Sequence, residues 1–239
     1  MNTTLQNLTK LIGLGQPEDH RTRIAADHDE HGGTGVYSET VTRMHEPARR
    51  QAPAINELPT WLNIDVSISM GERYSGAKSK IQAAGLAAQS HIVERARGCP
   101  DAEIGIITFN HAARVEYPIA PLASARAGMI KTVRSLTTGG GTDMGAAMEC
   151  ARQQLGNRPG RVVLISDGHG GDPVPAAAQI KANGGIVECI GIGSNPGKVD
   201  ERRLRRAASV IDGQTRYWFV RDLNLLTQTM TMLATNTIQ

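Results

Sequence analysis

Short apolar runs that alternate with helix-patterned stretches constrain this chain more than any other feature. Trp61–Asp65, Glu103–Phe109, Arg161–Ser166 and Ile186–Ile192 are runs of five to seven residues. They are too short for buried helices and largely continuous in hydrophobicity, as strands buried on both faces are. Between them, Ile81, Ala84, Ala88 and Ile92 recur three and four apart, as do Met144, Ala147, Met148, Ala151 and Leu155. That spacing predicts helices over 76–97 and after Thr142. Further helices are expected over 123–136, 172–183 and 198–208. The second of these opens on Asp172-Pro173 as N-cap and N1 and closes on Gly184-Gly185. Ala112–Tyr117 follows a tight turn at Asn110-His111 and predicts an antiparallel partner for the strand before it. Thr215–Val220 predicts another strand, and Asp222 caps a last helix bearing Leu223, Leu226, Met230 and Leu233. Strands alternating with helices imply an α/β doubly wound fold. Its sheet would be mostly parallel, with one antiparallel edge strand and helices on both faces.

Residues 1–57 read differently. They are polar, with scattered His, Asp, Arg and Pro. Leu5, Leu8, Leu11 and Ile12 would make one short amphipathic helix, and 36–41 a strand added to a sheet edge. The rest is expected to be a partly disordered extension or linker ending near Pro47, Pro53 and Pro59. The predicted division is therefore an extension over 1–57 and a domain over 58–239. With 40% hydrophobic residues but only 3% aromatic ones, the core must be built from Ala, Val, Ile, Leu and Met. A net charge of +3, from 26 basic and 23 acidic residues, implies no polyanionic partner, and the scarcity of aromatic rings argues against stacking on single-stranded nucleic acid. The three cysteines form no C-x-x-C pair, which suits a reducing compartment. No basic stretch followed by an apolar one opens the chain, and no run is long enough to span a membrane. The expected location is the cytoplasm.

Three segments carry the candidate chemistry. Asp65-x-Ser67-x-Ser69 places a carboxylate and two hydroxyls at alternate positions where the first strand ends. Gly139-Gly140-Gly141-Thr142-Asp143 breaks the pattern before a helix. Ser166-Asp167-Gly168 ends a later strand. If the strands beginning at 61 and 161 are neighbours, Asp65 and Asp167 leave the sheet side by side, and Thr142 leans over both. Hydroxyls from Ser67, Ser69 and Thr142 with carboxylates from Asp65 and Asp167 form a hard-oxygen set suited to Mg²⁺, with Mn²⁺ or Ca²⁺ as alternatives. No Cys or His lies in these segments, which disfavours zinc or copper. Because neutral donors outnumber charged ones, a bound cation would stay electrophilic and attract an outside carboxylate.

These residues resemble the von Willebrand factor A domain, whose metal-ion-dependent adhesion site is D-x-S-x-S, then a Thr, then an Asp. Asp65, Ser67, Ser69, Thr142 and Asp167 stand at the matching positions. I-G-I-I-T-F-N-H-A-A-R-V resembles the family's second strand and hairpin, and G-I-G-S-N-P-G with L-R-R-A-A-S its late strand, loop and helix. The likeness covers about 58 to 235. It implies metal-dependent protein binding rather than catalysis, with a partner offering Glu or Asp to the metal. The chain resembles the intracellular branch, whose members act as adaptors beside ATPase or stress-response machinery. One departure is Ile68, where the family often has Gly. Either the loop needs no positive φ there, or metal binding is weakened.

Other readings compete. Asp65, Ser67 and Ser69 alone would also suit a strand-end turn with side-chain caps. A Mg²⁺-dependent phosphohydrolase would use Asp65 as nucleophile with Asp167 and Asp172 on the metal, but Ser67 stands where a second acid is expected. A third reading is a scaffold with a vestigial site. No G-K-[ST] follows Gly139–Gly141, which argues against a phosphate loop. His28-Asp29-Glu30-His31 and the arginines 202, 203, 205 and 206 read as solvated charge, and Asp143 and Asp172 as helix caps.

Overall fold

β1 (Thr60–Asp65) is buried at every position, as a strand covered on both faces must be. In a computed structural model of the protein, which describes residues 55–235, it lies inside a six-stranded sheet. β2 (Glu103–Phe109) and β4 (Arg161–Ser166) pair with it in parallel on either side. β5 (Ile186–Ile192) and then β8 (Tyr217–Val220) continue the parallel order beyond β4. β3 (Ala113–Pro121) runs antiparallel to β2 at the opposite edge. The chain thus adopts the doubly wound α/β fold expected from its periodicity.

Helices α1 (Lys80–Gly98), α2 (Leu122–Arg134) and α6 (Leu223–Thr235) cover one face, over Leu62, Ile64, Ile106, Val163, Ile165 and Ile190. Helices α3 (Met144–Leu155), α4 (Val174–Ala182) and α5 (Glu201–Ala207) cover the other, over Ile107, Phe109, Val162, Leu164 and Val187. Alternate residues of each strand feed alternate layers, the two-residue period of a pleated strand. Ala83, Ala84, Ala87 and Ala88 are fully buried on α1. A core poor in aromatic rings is closed here by small side chains that let helix and sheet approach.

Several boundaries differ from those expected. α1 starts at Lys80 rather than 76, because Ser79 is its N-cap and accepts from Gln82 N at 3.3 Å. α4 starts at Val174, with Pro173 at the N-cap and Asp172 Oδ1 accepting from Val174 N at 3.1 Å. The helix expected from 198 is a 3-10 turn at Pro196–Lys198 followed by α5, which Asp200 caps. The strand expected over 215–220 breaks at Arg216. Its first part, β7 (Gln214–Thr215), pairs with β6 (Val210–Ile211) across Asp212 and Gly213, both at positive φ, and only β8 joins the main sheet. The helix expected over Leu5–Ile12, the strand over 36–41 and the His28–His31 charge run lie outside the described residues.

From β1 the chain winds to β2 on one side, and it later returns to β4 on the other. Ligands of such sheets bind at the carboxyl ends of the strands where the order switches. The segments after β1 and β4 leave the sheet at that place.

Candidate metal centre

Asp65 ends β1 with no exposed surface, and both of its carboxylate oxygens are held. Oδ1 accepts from Ser67 N at 2.8 Å, and Oδ2 accepts from Ser166 Oγ at 2.6 Å. The first bond turns the chain out of the strand into a 3-10 turn at Ile68–Gly71. That turn brings Ser67 Oγ within 3.0 Å of Ser69 Oγ. Asp212 is the one non-glycine residue at positive φ among the described residues, so Ile68 holds an ordinary backbone conformation and no glycine is needed there. Its N–H donates to Gly140 O at 3.1 Å, while its side chain is 70% exposed.

The glycine loop is laced to this turn. Gly139 N donates to Val66 O at 2.8 Å, Asn110 Nδ2 donates to Gly139 O at 2.9 Å, and Asp143 N donates to Asn110 O. Asp143 then caps α3 by accepting from Ala146 N at 3.0 Å. Thr142 is half-buried beside that cap, and its hydroxyl bonds to none of the described residues. From the β4 side, Gly170 has φ +110 and packs so closely on Thr142 that a Cβ would collide with its carbonyl. Met144 N donates to Gly170 O at 3.2 Å. Thr142 therefore packs against Gly170, three residues past Asp167, and follows two residues after Gly140, which is bonded to the Ser67–Ser69 turn.

Asp167 is 3% exposed. Its Oδ2 accepts from Lys80 Nζ at 3.2 Å, and its Oδ1 is buried with no partner among the described residues. Burial pushes the Asp65 carboxyl up to about 6, against the bonds from Ser166 and Ser67 that lower it, and the Asp167 charge adds to the rise. The structure thus brings Asp65, Ser67, Ser69, Thr142 and Asp167 onto three loops tied to one another. Two further residues matter that the motif does not include. Ser166 orients Asp65; its place at a strand end beside Asp167 is the one signal it carries in the sequence. Lys80 touches Asp167 from the first turn of α1, and nothing in its sequence context marks it.

The donor set fits a hard divalent cation. A buried carboxylate oxygen without a donor is an unmet demand for positive charge, and the two serine hydroxyls offer neutral oxygens. All five candidate donors are oxygens, the ligand type that hard cations prefer.

An α/β domain with oxygen donors gathered at the carboxyl edge of a doubly wound sheet is the class that fold and site define. Residues 60–169 match the sequence profile of the von Willebrand factor type A domain, an interval that includes all five donors. The chain carries a von Willebrand factor type A domain. The von Willebrand factor type A protein of Catenulispora acidiphila superposes with a TM-score of 0.61 at 23% identity, over 74% of this chain and 42% of that one. The conserved hypothetical protein BatB of Bacteroides thetaiotaomicron gives 0.58 at 18% identity, over 74% of this chain and 99% of that one. Proximal thread matrix protein 1 of the mussel byssus, in a form whose metal-ion-dependent adhesion site holds zinc, gives 0.60 at 15% identity over 76% of this chain and 47% of that one. These likenesses concern the fold. No curated protein matches the chain.

Proposed function

We propose that this domain binds a divalent cation, Mg²⁺ before Mn²⁺ or Ca²⁺, through Asp65, Ser67, Ser69, Thr142 and Asp167, and through it a carboxylate of a protein partner. The observation that carries the reading is the orphaned Oδ1 of Asp167 at the same sheet edge as the paired hydroxyls of Ser67 and Ser69. A cation bound there supplies a Lewis-acidic coordination position. The residues do the rest. Ser166 and Ser67 N hold Asp65 in place, Thr142 offers a hydroxyl bonded to none of the described residues, and the glycine loop keeps the segments in register. The family resemblance supports protein binding as the role, and zinc at the equivalent site of the mussel protein supports metal capture by this fold.

The reading is non-enzymatic. A phosphohydrolase on such a sheet would want a second acid two residues after Asp65, and Ser67 stands there instead. The proposed setting is the cytoplasm, as an adaptor beside an ATPase or stress-response complex. Among the described residues no helix is long and apolar enough to cross a membrane. The deciding experiment is a pull-down with and without EDTA, comparing the natural chain with Asp65→Ala. Partner capture is expected to vanish in EDTA and in the variant, while circular dichroism shows the fold retained. Full capture in EDTA would overturn the reading.

A further inference from the structure

Lys80 is the first residue of α1, and its side chain is 8% exposed. Its backbone N–H donates to Glu72 O at 3.0 Å, so the residue is fixed at its root. Its ammonium lies 3.2 Å from Asp167 Oδ2 and 2.9 Å from Glu72 Oε2. Glu72 is the exposed partner, with 60% of its side chain open to solvent, whereas Asp167 is buried. A buried ammonium is costly unless paired, and a neutral side chain would fill the same space without that cost. Here the charge is aimed at one of the two carboxylates that the cation would need.

We propose that Lys80 is a resident counter-cation of the metal centre, sharing Asp167 with the divalent cation and setting its affinity, with Glu72 drawing part of the ammonium's charge away. The inference rests on the metal-binding reading of the site and concerns how that binding is tuned. Asp65 and Asp167 bring two negative charges, and Lys80 cancels one of them. A divalent cation entering beside the ammonium meets like-charge repulsion in a partly dry setting, where it is far stronger than in water. The two oxygens of Asp167 have separate roles, for Oδ2 is held by the lysine and Oδ1 is left for the cation. Glu72 becomes a determinant of metal affinity although it is no ligand.

The test is calorimetric titration of the full chain with Mg²⁺ and Mn²⁺, alongside thermal melting in EDTA and in excess Mg²⁺. Lys80→Met, which keeps the stem and removes the charge, is expected to bind the cation at least about tenfold more tightly. It should melt lower than the natural chain in EDTA, and the gap should close in Mg²⁺. Glu72→Gln, at an exposed position, is expected to bind the cation more weakly, because the ammonium then rests on Asp167 alone. Opposite shifts from the two variants are a signature that a purely structural ion pair would not give. Unchanged affinity in both variants, whatever their melting points, overturns the inference and leaves the proposed function standing. If Lys80→Met does not fold, an unchanged affinity in Glu72→Gln overturns it alone. Binding by Lys80→Met but not by the natural chain upholds Lys80 as the site's cation and removes the proposed function. No binding by either removes both.

Discussion

Ser166 shows how one hydroxyl can decide what a carboxylate is able to do. Asp65 is fully buried, and burial favours its neutral acid; the 2.6 Å bond from Ser166 Oγ and the bond from Ser67 N favour the anion that a cation requires. Ser166 Oγ also accepts from Gly168 N at 2.9 Å, so it fixes the Asp167 loop as well as the Asp65 side chain. Ser166→Ala leaves Asp65 Oδ2 and Gly168 N without these partners. It is expected to cost roughly 1–3 kcal/mol of stability in urea denaturation and to weaken Mg²⁺ binding in calorimetric titration. Stability and affinity both equal to those of the natural chain would refute the positioning role. At this scale the sequence is informative where donors repeat at short spacing. Asp65, Ser67 and Ser69 stand out because a single turn brings them together. Lys80 does not, because its meeting with Asp167 depends on where α1 starts, and apolar spacing alone sets that start four residues early.

Elements are legible where a long period runs uninterrupted. β1, β2, β4 and β5 and the middles of α1, α3 and α6 follow from apolar spacing alone, since burial on one or both faces leaves little choice of register. The stretch 196–220 does not, because side-chain caps and turns outweigh periodicity there. Asp200 resets the helix start, Asp212-Gly213 makes a tight turn, and Arg216 leaves the strand direction to reach Glu188. The junction of α1 and α6 holds a feature that no pattern shows. His91 is fully buried on α1, and its Nδ1 lies 2.9 Å from Met230 O of α6, so Nδ1 carries the proton and donates. Burial, then the nearby Arg161 of β4, and to a smaller extent Arg95 of α1, push the imidazole down to about 3, while the bond to Met230 pulls the other way. Below its ordinary value of 6.5 the unfolded chain gains a proton that the folded chain refuses. This contribution to stability is therefore complete above 6.5 and is lost as pH falls towards 3, at up to about 1.4 kcal/mol per pH unit. The metal-free Asp65, raised to about 6, tilts the balance the opposite way between 6 and 3.8. Comparison with His91→Asn, which keeps an N–H for Met230 O, isolates the histidine. Unfolding free energies measured from pH 7 to 4 are expected to fall more steeply for the natural chain than for the variant; parallel curves would rule the histidine out.

Across the whole molecule, charge is buried at both ends of the central strands, for different purposes. Glu188 on β5 is fully buried between two arginines. Arg161, at the start of β4, donates from Nε to Oε2 at 2.7 Å, and its Nη2 lies 2.6 Å from the same oxygen without hydrogen-bond geometry. Arg216, just before β8, donates from Nε to Oε1 at 3.0 Å and again from Nη2. One carboxylate thus ties β4, β5 and the segment entering β8, and it neutralises guanidinium groups that could not remain in the core without it. Glu188→Gln keeps the shape and removes the charge. It is expected to cost about 3–5 kcal/mol, the usual penalty for stranding one side of a buried ion pair. Replacing all three together, as Glu188→Leu with Arg161→Met and Arg216→Met, is expected to restore much of the loss, because well-packed apolar groups often match a buried ion pair or triad. The candidate metal centre should be indifferent to either change. Asp167 follows the end of β4 while Arg161 begins it, six residues away and so roughly 20 Å at strand spacing. In melting experiments, Glu188→Gln should start from a lower temperature and still gain as much from Mg²⁺ as the natural chain does. Loss of that gain in a variant that still folds would mean the two ends of the sheet are coupled, and that the ion network at its base helps to shape the site at its rim.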